Sequence, residues 1–220
     1  PFQQQYLDVL AGVGGLHASA WARKSAYYAR AGNNLRHCST GRDAARLAGC
    51  GNILEQSMPD PRLAELSRWL PDLRLLTAPG DLEHYGRDWT CRWTPAPLAI
   101  ARPSNADEVQ TCVRWANERQ VAIVPSGGRT GLSGGAVAAH GELVLSLERM
   151  SRVLDFDAVD RTLTVQAGIV LQTVHEAAHS HGLIYPVDFA ARGSCSIGGN
   201  IATNAGGIRV IRYGNTREWI

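Results

Sequence analysis

The stretch VAIVPSGGRTGLSGGAV, Val121 to Val137, governs the reading of the whole chain. An apolar, strand-like run ends in a proline. Glycines then crowd the main chain at Gly127, Gly128, Gly131, Gly134 and Gly135. Glycine admits positive φ and lets another group come close to the backbone. Successive amide N–H groups in such a loop can turn into one concavity and receive an anion. Ser126, Thr130 and Ser133 add hydroxyl donors, and Arg129 either adds charge or faces water. Phosphate is the expected ligand class.

Two common phosphate motifs do not fit. A P-loop needs a lysine after its last glycine, and none follows any of these. A Rossmann fingerprint opens a helix, whereas GGRTGLSGG has a different spacing and runs on to a second apolar segment, ELVLSL. A single loop of this kind could equally be a glycine-rich surface turn. However, ARGSCSIGGNIATNAGG, from Ala191 to Gly207, is a second such stretch, with Gly193, Gly198, Gly199, Asn200, Gly206 and Gly207. Two of them can clasp one large ligand.

Working outward, Asp60 before Pro61 opens a helix, a capping carboxylate followed by proline at the first helical position. It runs through LAELSRWL and stops before Pro71. Pro95, Pro97 and Pro103 bracket LAIA, a short buried strand. Ser104 with Asp107 reads as a capping-box variant. Val109, Cys112, Val113 and Ala116 then recur at helical spacing up to about Arg119. VAIVP is the next strand and ELVLSL a buried one. RVLDFDAVDRTLTVQ alternates around AVDR as a hairpin. IVLQTVHEAAHSHG is a helix ending at Gly182, and LIYPVD a further strand. This order gives an α+β fold rather than a regular βαβ alternation.

The composition, 45% hydrophobic and 19% charged over 220 residues, is that of a globular protein of one or two domains. A net charge of +2 gives no basis for a nucleic-acid surface. No apolar run approaches the ~18–20 residues of a membrane span. The cysteines, Cys38, Cys50, Cys91, Cys112 and Cys195, are odd in number and contain no C-x-x-C. That argues against a structural zinc site or a disulfide framework, and a reducing, cytoplasmic setting is expected. Residues 1–57 lack a sustained helix or strand period and read as a poorly ordered extension. LDVLAGVGGLHASA faintly resembles a signal peptide but has no basic n-region, and ASAWARKSAYYARAG has the arginine-rich look of a transit peptide. Met58 reads as a start, because regular structure begins just after it. RYGNTREWI reads as the approach to a strand, and with Pro1 first the chain reads as the N-terminal piece of a longer protein.

One motif competes. His175-Glu176-Ala177-Ala178-His179 matches H-E-x-x-H, which on a helix can bind zinc with the glutamate as base. The third histidine of an extended motif would fall at Tyr185. Val170, Val174, Ala177 and Ala178 form the apolar stripe, so Gln172, His175, Glu176 and His179 are expected on the solvated side. A zinc hydrolase is the weaker alternative.

PSGGRTGLSGGAV and PVDFAARGSCSIGGNIATNAGGIRVIRYG together closely resemble the FAD-binding domain of the p-cresol methylhydroxylase/vanillyl-alcohol oxidase superfamily. Within it they look most like the FAD-linked 2-hydroxy-acid dehydrogenases, the branch with D-2-hydroxyglutarate dehydrogenase, D-lactate dehydrogenase and the glycolate oxidase FAD subunit. The likeness covers about residues 80–220, including RPSNADEV. It implies two α+β subdomains, about 58–150 and about 151–220, with FAD between them and a C-terminal cap domain missing. Pro125, Ser126, Gly127, Gly128, Arg129, Thr130 and Gly131, with Leu132, Gly134, Gly135 and Ala136, would wrap the pyrophosphate. Pro186, Gly193, Ser194, Ser196 and Ile197, with Gly199, Asn200, Ala202 and Thr203, would line the flavin and its ribityl or phosphate groups. Ser196 stands where the nearest group often has histidine, and the first loop has no histidine, so a noncovalent flavin is expected. The implied reaction takes a hydride from the alcohol carbon of a small D-2-hydroxy acid to flavin N5, giving the 2-oxo acid. An FAD-binding module without turnover is the alternative. The catalytic base is not assigned. The electron acceptor stays open among a quinone, a flavoprotein and a cytochrome.

Overall fold

The computed structural model describes residues 60–220. The expected extension over 1–57 and the start at Met58 lie outside the described residues. Asp60 caps the first helix, α1 (Pro61–Trp69), its carboxylate accepting the Arg62 N–H at 2.9 Å. Strand β1 (Arg74–Leu76), helix α2 (Pro79–Gly86) and strand β2 (Ala99–Arg102) follow. Helix α3 (Ala106–Glu118) leads from β2 to β3 (Ile123–Ser126), and β4 (Leu143–Ser146) comes after the glycine loop. The α3 cap falls one residue later than its sequence suggests. Asn105 accepts the Glu108 N–H at 2.9 Å, and the Glu108 carboxylate turns back onto the N–H and hydroxyl of Ser104. Glu108, not Asp107, stands at the third helical position, where a side chain can reach back over the helix end.

The strands lie in the order β1-β2-β4-β3. β1 runs antiparallel to β2, while β2 and β3 both run parallel to β4, with Ile100 and Val124 each opposite Val144. Alternation along the strands divides the core into two layers. Ala99, Ala101, Leu143 and Leu145 meet α1 and α3 on one face. Ile100, Val124 and Val144 meet Tyr85 and Ala138 on the other. The largest side chain in the first layer is Trp115, 0% exposed, whereas Val113 is only partly covered. Burial, aided by the Glu108 charge, pushes the Cys112 thiol up to about 12. Cys112 therefore acts as a small apolar side chain.

The rest of the described chain builds on a second cluster around Ile169, Leu171, Val174, Cys195 and Ile197. The expected hairpin is present as β5 (Val153–Asp157) and β6 (Thr162–Val165). Helix α4 (Leu171–Ser180) follows, and Gly182 takes φ 71 just beyond it. LIYPVD is not a strand. Its main chain is satisfied elsewhere: the Val187 carbonyl meets His175 Nε2 and the Asp188 carbonyl accepts the Ile208 N–H. Pro186 has no N–H to give a ladder. The second glycine-rich stretch is not all loop either. It contains helix α5 (Ile197–Thr203), capped by Ser196 and closed by Asn204 at φ 48. RYGNTREWI leads to no strand: helix α6 (Val210–Tyr213) is followed by a 3-10 turn at Thr216–Trp219.

Trp115 is the keystone of the α1–α3 layer, so Trp115→Ala is expected to lower the unfolding free energy by about 3–5 kcal/mol. Val113→Ala should lower it by less than about 1 kcal/mol. Urea titrations of the two variants against the parent check the contrast.

Candidate functional site

At the end of β3, Ser126 is buried and the chain leaves the sheet as the glycine loop. Gly127 and Gly128 lie directly on the second glycine-rich stretch. A Cβ on Gly127 would overlap Ser196 Oγ, and one on Gly128 would overlap the Ser194 carbonyl oxygen. Only glycine permits this approach. The two motifs are thus in main-chain contact.

Among the described residues, the main-chain N–H groups of 127–133 donate to no protein acceptor. The next amide, that of Gly134 at φ 77, donates to Asp88 Oδ2 at 3.0 Å. Asp88 is 3% exposed, and its other oxygen accepts the N–H and hydroxyl of Thr90. The loop is therefore pinned at both ends and holds a run of open donors between them. Gly131, Leu132 and Gly135 form its exposed edge, and Thr130 and Ala136 are half-buried.

Arg129 neither faces water nor offers a free charge. At φ 55 its chain folds inward, and Nη1 donates to Glu148 Oε1 at 2.9 Å and to the Gly127 carbonyl at 3.2 Å. Tyr85 donates to Glu148 Oε2 at 2.8 Å, and Arg102 Nη2 lies 3.6 Å from the same oxygen. Burial works against ionisation of Glu148. The hydrogen bonds from Arg129 and Tyr85 and the charges of Arg129 and Arg102 outweigh it and hold the carboxyl below its ordinary range.

A cavity of about 140 Å3 opens beside the contact between the motifs. Pro125, Ser126 and Gly127 line it from the first, and Ser196, Gly199 and Ala202 from the second. The second motif contributes surface rather than donors. The amides at the start of its helix are already used, Ile197 on the Ile169 carbonyl at 2.9 Å, Gly198 on Ala167 at 2.8 Å and Gly199 on Ser196 Oγ at 3.3 Å. The other expected residues lie off the cavity wall. Pro186, Ile197 and Asn200 are buried in the fold. Gly193, Ser194 and Thr203 are exposed, the Thr203 hydroxyl donating to the Gly199 carbonyl at 2.9 Å.

The H-E-x-x-H residues form no cluster. His175 is half-buried rather than solvated, its Nε2 2.9 Å from the Val187 carbonyl oxygen, and its ring meets Tyr185 edge-on. Glu176 accepts from Gln172 at 2.9 Å, and His179 is exposed. Among the described residues no group of three or more metal-ligating side chains converges. Sequence reasoning missed Asp88, Tyr85 and Glu148. None carries a motif, and the contacts that give them meaning span the fold.

Residues 97–220 match the family model described as FAD binding domain, and the chain belongs to that family. It is 75% identical over 163 residues to a D-2-hydroxyglutarate dehydrogenase of Xanthomonas citri pv. viticola, covering 74% of this chain and 34% of the relative. It is 52% identical over 164 residues to the D-2-hydroxyglutarate dehydrogenase of Stutzerimonas stutzeri, covering 74% and 35%. The chain thus spans about a third of the length of the curated relatives it matches. Among solved structures, an alkyldihydroxyacetonephosphate synthase aligns with a TM-score of 0.64 at 23% identity, over 70% of this chain and 31% of the other. That likeness carries the fold. Among the described residues no helix is long and apolar enough to cross a membrane.

The residues present suit a flavin dinucleotide. Open amides with neighbouring hydroxyls suit a pyrophosphate, and the small-residue wall beside them leaves room for flat or extended groups.

The close approach makes a sharp mutational contrast. Gly128→Ala is expected to cost about 1–3 kcal/mol of stability by forcing the motifs apart. Gly131→Ala, whose Cβ would meet open space, should stay within about 0.5 kcal/mol. Thermal unfolding of the two variants measures the difference.

Proposed function

We propose that this chain holds FAD noncovalently and is the flavin-binding part of an oxidoreductase that converts a D-2-hydroxy acid to the 2-oxo acid. The observation that carries the reading is the run of amides over 127–133, unpartnered among the described residues, beside a cavity lined by both glycine motifs. Those amides, with the hydroxyls of Thr130 and Ser133, bind and orient the pyrophosphate. The wall from Pro125–Gly127 and from Ser196, Gly199 and Ala202 takes the ribityl and ring portion. FAD, when bound, supplies the acceptor for the hydride given up at the alcohol carbon. The names of the relatives make D-2-hydroxyglutarate the first substrate to test.

Noncovalent binding fits the nucleophiles near the site. Burial holds the Cys195 thiol above its ordinary range, and Cys195 is 3% exposed. The two-subdomain division near residue 150 is supported by the separate apolar clusters on either side of it. A cytoplasmic setting agrees with the free thiols of Cys91, Cys112 and Cys195. Coverage of only a third of the relatives favours a second reading for the chain by itself, binding without turnover.

The purified protein is expected to take up FAD, show a flavin absorption spectrum and release the chromophore in acid. Bleaching by D-2-hydroxyglutarate would assign the substrate, and a stable spectrum that no D-2-hydroxy acid bleaches would select the binding-only reading. A folded protein that stays colourless with added FAD would overturn both.

A further inference from the structure

Arginine beside a phosphate loop is ordinarily read as a ligand for the phosphate. Here the geometry assigns it elsewhere. Arg129 stands in the left-handed region at φ 55, a conformation side chains other than glycine rarely hold without support. Its support is visible. Nη1 reaches Glu148 Oε1 at 2.9 Å, the Gly127 carbonyl at 3.2 Å and Ser126 Oγ at 3.4 Å. Nη2 lies 3.0 Å from His84 Nε2, and the guanidinium sits 4.6 Å over the Tyr85 ring. Every polar contact of this side chain points back to the fold, and the side chain is 15% exposed. Glu148 is in turn held by the Tyr85 hydroxyl at 2.8 Å and Arg102 at 3.6 Å.

We infer that Glu148 is a positioning residue for the phosphate-receiving loop, acting through Arg129 to fix the backbone of 127–131 while withholding the arginine charge from the ligand. The inference rests on the FAD reading above. Mechanistically, the charge-assisted pair clamps Arg129 from the strand side, and the Gly127 carbonyl closes the loop onto the same guanidinium. The amides of 127–133 keep a shape set before a ligand arrives. Tyr85 and Arg102 keep Glu148 ionised and aimed.

Two physical roles for Glu148 predict opposite signs for one substitution. Glu148→Gln removes a negative charge close to the loop. If field alone mattered, a dianionic pyrophosphate would bind more tightly in the variant. If Glu148 positions the loop, FAD affinity should fall, by about tenfold for the loss of one charge-assisted hydrogen bond. Combining it with Arg129→Ala should add little beyond Arg129→Ala alone, because the two side chains act as one unit. Arg129→Lys should recover only part of the affinity, since one ammonium cannot reach Glu148, Gly127 and Tyr85 together. Tyr85→Phe, a milder change that keeps the ring, should give a smaller loss in the same direction.

The experiment is FAD titration of the parent and these variants, with amide hydrogen exchange on the FAD-free proteins. The expected result is weaker FAD binding in Glu148→Gln, a strongly non-additive double variant, and faster exchange of the Gly134 amide, the loop N–H bonded to Asp88, with β2 and β4 unchanged. Unchanged or tighter FAD binding, or exchange that rises equally through β2 and β4, would overturn the positioning role. A parent that takes up no FAD would sink the flavin reading instead. The exchange comparison would still decide whether Glu148 holds the loop.

Discussion

The molecule depends on a contact between two stretches of main chain. Gly127 and Gly128 lie where any Cβ would overlap Ser194 and Ser196. At that line the end of a parallel strand meets the start of a helix more than sixty residues away. Around it the second stretch is sewn to its own cluster by main-chain bonds, Leu171 to Cys195, Ile197 to Ile169 and Gly198 to Ala167. Small side chains at these positions are a condition of the contact, and the contact in turn places a polar loop beside an apolar cavity.

The site divides its labour between two kinds of glycine-rich chain. In the first, the amides of 127–133 find no partner among the described residues, while Asp88 holds the far end through Gly134. In the second, the amides of Ile197, Gly198 and Gly199 are taken by residues 167–169 and a helix cap, and small residues form the wall on the cavity side. In the proposed FAD site, this arrangement would recognise the pyrophosphate through oriented peptide dipoles more than through formal charge. The nearest arginine is matched by a glutamate, so the site avoids the desolvation that an unmatched guanidinium would impose on its surroundings.

Much of the fold was legible because its signals are local. Asp60-Pro61 marked a helix start, the alternation around AVDR marked a hairpin, and the apolar runs at LAIA and ELVLSL marked buried strands. The two motifs that meet at the cavity were also legible, because glycine at a functional close approach leaves a compositional trace. Where the reading failed, the deciding partner was distant or the composition misled. LIYPVD has the apolar content of a strand but no strand beside it, and a histidine one helix away takes its carbonyl. IGGNIAT contains two poor helix formers, yet the Ser196 cap and the packing of Ile197 hold it helical. Trp115 was passed over for Val113 because spacing identifies a stripe and not which member of it sits deepest. Asp88 and Glu148 are single acids in ordinary surroundings, and their importance arises only from partners at Gly134 and Arg129.

β3 and β4 run parallel, yet they are joined directly by residues 127–142, without a crossover helix. Parallel neighbours require the chain to travel back along the sheet, and here the return path is the glycine-rich loop itself. Its two ends are fixed by hydrogen-bonded strands, and its entropy of closure is already lost when the sheet forms. The loop is thus ordered by folding itself, and a cofactor held there as proposed would spend little of its binding energy on ordering chain.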